Sequence, residues 1–176
     1  MRRIRPRTWL IAGGIVLLGL GVFAFLQFRP DLLFIDRVVD EPLAPDVAAA
    51  LQSTDTGTAP TGPGAAIVLA RGEWESLRHS TSGDVAIVRT DDGPVLAFDE
   101  LRGDNGPDLH VYLSPAEPSD DADFLRGAVK VGGLKGNIGT QSYALPDDLD
   151  PSEFRSVVIW CDRFSVPFGA AELQAA

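Results

Sequence analysis

The sequence predicts an all-β fold, an antiparallel β-sandwich domain preceded by one transmembrane helix and a flexible tether, and three observations carry that reading. From residue 65 onward, short apolar or alternating runs recur every eight to twelve positions between turn residues, the pattern of an antiparallel sandwich or barrel. Residues 9–28 read WLIAGGIVLLGLGVFAFLQF, twenty residues without a charge. Between the two lies a stretch rich in Ala, Thr, Pro, Gly and Ser, a composition that buries too little surface to offset the entropy of ordering it. The expected organisation is therefore a basic tail (1–8), a transmembrane helix (9–28), a juxtamembrane segment and linker (29–64) and one domain (65–176).

A helix rising ~1.5 Å per residue carries twenty residues across the roughly 30 Å hydrocarbon core. Twelve of the twenty are Leu, Ile, Val or Phe, which favours insertion despite four glycines. Four arginines precede the run and only Arg29 closely follows it. This positive-inside bias predicts a single-pass cell-membrane protein with its N-terminus in the cytoplasm and its C-terminal domain extracytoplasmic. A cleaved signal peptide would have a shorter apolar region ending at a small-x-small site, whereas this one ends in Gln27-Phe28-Arg29-Pro30. The following run DLLFIDRVVD is amphipathic and suits a membrane-surface segment, a juxtamembrane turn or an extension of the helix.

Charge narrows the partners. Residues 1–29 hold five arginines and no acid, and the rest of the chain has 10 basic against 25 acidic side chains. So acidic a body repels phosphate backbones, which argues against nucleic acid.

The expected strands are AIVLARGEWES, VAIVRT, PVLAFDEL, LHVYLS, RGAVKVGGLKG, SYALP, RSVVIWC and RFSVPFGAAEL. Asp91-Asp92-Gly93-Pro94, Asn105-Gly106-Pro107-Asp108 and Asn137-Ile138-Gly139 read as hairpin turns, since Asn, Asp and Gly tolerate positive φ. Residues 150–154 suit one helical turn with Pro151 at its first position.

Chemistry has few candidates. Cys161 is the single cysteine, so no internal disulfide forms, and an unpaired thiol in an oxidising compartment tends to be oxidised or paired. Its other reading is a small buried hydrophobe. Val157, Ile159 and Cys161 share one strand face and Val158 and Trp160 the other, so both faces are apolar and the strand is expected to be central. His79 and His110 are the remaining soft ligands. No Met lies beyond residue 1, so a haem would take His/His, His/Cys or a single ligand. CxxC and HExxH spacings are absent, which argues against zinc. Asp104, Asn105 and Asp108 offer oxygens to a hard cation but lack the spacing of an EF-hand loop. Neither a G-x-S-x-G elbow nor a P-loop occurs.

Several runs resemble one family. They are Gly72-Glu73-Trp74, His79-Ser80-Thr81-Ser82-Gly83, GPDLHVYLS (106–114), LKGNIG (134–139), Gln141-Ser142-Tyr143, Val158-Ile159-Trp160-Cys161 and Phe164-Ser165-Val166-Pro167-Phe168-Gly169. In this order, over about residues 65–174, the chain resembles the DM-thirteen domain family, proposed to act in electron transfer and often discussed with DOMON domains. The resemblance implies a β-sandwich, an exported location and a functional cysteine in the strand before the terminal hairpin, which falls on Cys161. The expected function is then redox or electron transfer through Cys161, as a thiol or as the ligand of a prosthetic group such as haem, with a redox or envelope partner. The alternative is a noncatalytic ligand- or protein-binding module of the cell envelope.

Overall fold

The computed structural model describes residues 6–28, 35–52 and 66–175. The uncharged run lies within α1 (Pro6–Phe28), which begins one turn earlier and takes in Arg7. Its Trp9–Gln27 portion has a mean hydropathy of 2.4 and no buried residue, and it is the one described helix long and apolar enough to cross a membrane.

The body is built from β1 (Ile67–Ser76), β2 (Thr81–Thr90), β3 (Gly93–Gly103), β4 (Leu109–Ser114), β5 (Val129–Gly133), β6 (Ile138–Ala144), β7 (Ser156–Cys161), β8 (Val166–Glu172) and β9 (Gln174–Ala175). The strands run in the order β5-β4-β7-β8-β1-β2-β3-β6, with β9 added to β1, and all these pairings are antiparallel. Strand β1 belongs to both halves: residues 67–73 pair with β2, and residues 74–76 with β8. The two expected layers therefore share a strand and fold into a nearly barrel-like sheet. Alternation along each strand sends one set of side chains inward. Trp74, Val85, Ile87, Leu96, Phe98, Val111, Leu113, Val157, Ile159 and Phe168 make that core.

All eight expected strands are present. The β2–β3 turn is the expected hairpin, closed by the Thr90–Gly93 pair with Gly93 at φ +116. Two other turns need correction. Residues 105–108 join β3 to β4, and Asn137 ends the connection from β5 to β6, whose first residues are Ile138 and Gly139; neither pair of strands is neighbouring in the sheet. Turn chemistry reports that the chain bends, not which strand it pairs with afterwards. Residues 150–154 do form a short 3-10 turn, with Pro151 near its start and the Asp150 carboxylate accepting from Ser152 N.

The tether expectation fails for residues 35–52. The chain forms a parallel bridge from Val38 to Ile138 and then a helix, α2 (Pro45–Gln52). Val47, Ala50 and Leu51, spaced as one helical face, cover Ala66, Ala86, Val88 and Ala97 on the outside of the sheet. Small side chains meet small side chains there, so an alanine-rich run that reads as unstructured has a matching surface to bury. The remaining linker residues, 53–64, and the first part of the amphipathic run, 31–34, lie outside the described residues.

Candidate functional site

Strand β7 is central, between β4 and β8, and every one of its residues is buried. Its alternation holds as expected. Val157, Ile159 and Cys161 join the inner core, and Val158 and Trp160 join a separate outer cluster with Phe124 and Ala170. Cys161 is a free thiol with no exposed surface, flanked by Leu109 of β4 and Val166 of β8. Among the described residues no hydrogen bond reaches its sulfur. Arg163, two residues on, does not share this face: it stands exposed in the turn between β7 and β8.

His110 pairs across β4–β7 with Trp160 and so lies on the outer face. Its Nδ1 is 3.2 Å from Asp162 Oδ2 and 3.3 Å from the Asp108 carbonyl. Asp162 is the hub of this face. Tyr112 donates its hydroxyl to Asp162 Oδ1 at 2.7 Å, and Lys130 Nζ donates to Oδ2 at 2.7 Å. Partial burial pushes the Asp162 carboxyl up, but the hydrogen bonds from Lys130 and Tyr112 and the charge of His110 outweigh it and leave the pKa below the ordinary value. The same bond from Asp162 raises Lys130, while burial, then Asp162, raises the Tyr112 phenol.

His79 lies at the rim, in the β1–β2 connection. Its ring stacks on Phe168 with centroids 3.8 Å apart, and its Nδ1 is 3.3 Å from Asp104 Oδ2, which also accepts from Ser80 N at 3.1 Å. Of the proposed oxygen donors, Asp104 is thus taken by His79 and Ser80. Asn105 donates to the Ile35 carbonyl and accepts from Gly106 N. No group of three His, Cys, Asp or Glu side chains suited to a metal ion occurs among the described residues.

Haem does not fit through Cys161 in this fold. The sulfur faces a filled apolar core, and His110 projects from the opposite side of the sheet, so the two cannot ligate one iron. The structure brings His110 instead to a cleft of about 430 Å³, lined by the GPDLH and LKGN runs. Asp162, Tyr112 and Lys130 were missed from sequence. His110 and Tyr112 carried a signal, being two apart in one strand and so on one face. Their meeting with Asp162, fifty residues on, depends on β4 pairing with β7.

Residues 73–173 match the protein family described as Electron transfer DM13. No curated protein and no solved structure gives a significant match.

Proposed function

The chain belongs to the electron transfer DM13 family, matched over more than half its length, and from that premise we propose a membrane-anchored redox module whose domain stands outside the cytoplasm. The family match carries this reading, because it spans Cys161, His79 and His110 together. The uncharged run 9–28, with four arginines before it, supports an uncleaved anchor with its N-terminus inside.

We assign Cys161 as the redox residue. Its burial sets a condition on the chemistry, since a sulfur with no exposed surface meets no external reagent while the barrel is closed. Reaction at this thiol therefore requires local opening of the sheet around the end of β7, where the adjoining turn is held by the Ser165 N to Cys161 carbonyl bond of 2.8 Å. A peroxide probe tests this. The thiolate attacks one peroxide oxygen, an S–O bond forms as the O–O bond breaks, and hydroxide leaves. The full chain in nanodiscs should lose one thiol reversibly under peroxide, regain it with a reductant, and lose the response in Cys161→Ala. A thiol that reacts only after denaturation, in protein recovered from its membrane without a chromophore, sinks the redox reading. The cleft beside His110 favours the second reading in that case, a noncatalytic binding module.

A further inference from the structure

The LKGNIG run (134–139) is shaped to hold residues 35–41, which lie outside the family match. Asn137, nearly fully buried, spends its whole amide on this neighbourhood. Its Oδ1 accepts from Arg37 N at 2.7 Å, and its Nδ2 donates to Asp36 Oδ1 at 2.9 Å and to the Gly103 carbonyl at 2.8 Å. Val39 N and Glu41 N then donate to the carbonyls of Ile138 and Thr140, both at 2.9 Å, so the segment runs beside β6 as an added parallel strand. Lys135 Nζ donates to both Glu41 oxygens at 2.8 Å. The two glycines are needed for approach: a Cβ on Gly136 would stand 2.5 Å from the Arg37 carbonyl oxygen, and one on Gly139 2.0 Å from that of Val39. From the GPDLH side Asn105 donates to the Ile35 carbonyl.

We infer that this docked segment straps the domain to the foot of its membrane helix, so that the barrel end carrying the cleft and His110 faces the bilayer. The inference rests on the anchored reading above. Helix α1 ends at Phe28 and Ile35 is already bound, so seven Cα steps of at most ~3.6 Å limit the gap to about 25 Å. A free linker over residues 29–64 would reach on the order of 130 Å by the same measure. The short leash selects the partner class: a redox carrier resident in the same membrane is the one that meets this end. The far end is the β2–β3 turn at Asp91, about 30 Å away along the ten residues of β2 at ~3.3 Å each.

Energy transfer from a donor on the domain to labelled lipid headgroups tests the placement. The full chain in nanodiscs carries the donor on Ser80→Cys, at the cleft end, or on Asp91→Cys, each in a Cys161→Ala background. Transfer should be at least twofold higher from residue 80. Inserting about twenty Gly/Ser residues between Pro30 and Asp31 should lower it at least twofold. The same insertion between Ala59 and Pro60, beyond the docked segment, should leave it unchanged. Equal transfer from the two positions, or a loss from the second insertion as large as from the first, overturns the strap. A chain that leaves the bilayer altogether overturns the anchor reading, and the strap inference with it.

Discussion

The two faces of the β4–β7 pair, one strand-thickness apart, have opposite chemistry. On the inner face Val157, Ile159 and Cys161 pack with Leu109, Val111 and Leu113, and no polar side chain takes part. On the outer face, one residue past Cys161, the Asp162 carboxylate is held by Tyr112, Lys130 and His110. The residue proposed for the redox step thus sits in a dry, filled core, and the groups equipped to move protons stand on the other side. Packing shields this lone thiol from oxidants. A reagent must wait for the barrel to open, and that protects the sulfur as well as limiting it.

This contrast is breakable by substitution. The largest effect belongs to Cys161→Asp, which places an unpaired carboxylate in the filled core and should cost more than about 4 kcal/mol. Loss of the cooperative unfolding transition of the full chain in urea is the measurement. A mild cost would mean that water already reaches the inner face.

Asp162→Asn, one residue away, should cost only about 1 kcal/mol, since its partners are partly solvent-exposed and the ion pairs are screened. It should also let the Tyr112 phenol ionise at lower pH, read from ultraviolet absorbance, because Asp162 helps to hold that phenol protonated. If Asp162→Asn proves as damaging as Cys161→Asp, the two faces are not energetically distinct.

The smallest effect is on acid stability. Asp162 and Glu41 both have folded pKa values below their ordinary ones; for Glu41 the Lys135 hydrogen bond is the main cause. Each holds its proton less tightly folded than unfolded. Their stabilisation is complete above the unfolded carboxylate range, about pH 4, and is lost as pH falls through the lower folded values. The thermal midpoint should be flat from pH 7 to about 5 and fall below about 4, and Glu41→Gln should shallow that fall. A midpoint that rises on acidification would contradict the assigned direction.

Much of this was legible in the residues. Eight strands were readable because alternation and turn chemistry are local, and the burial of Cys161 followed from a strand apolar on both faces. The strap and α2 were not. Residues 35–41 carry Asp36, Arg37, Asp40 and Glu41, a charged run whose docking shows only when Asn137 meets Asp36 and the Arg37 backbone and Lys135 meets Glu41. The eight residues of α2 are held by a sheet surface whose alanines cannot be recognised as a partner from composition. The outer cluster escaped for a related reason, since Asp162 and Tyr112 become neighbours only through the β4–β7 register.

What the sequence by itself determined was everything set by short-range physics: a helix of twenty uncharged residues, the acidic body, the strands with their two-residue period, and a cysteine committed to one face. Only the tertiary structure decided that this face is closed, that His110 lies behind it, and that residues 35–52 of the supposed tether pack on the fold. Those outcomes depend on which strands lie side by side. That choice is made by burying both faces of β7 and the edge of β6 at once, through contacts between residues up to 101 positions apart, which no local period encodes.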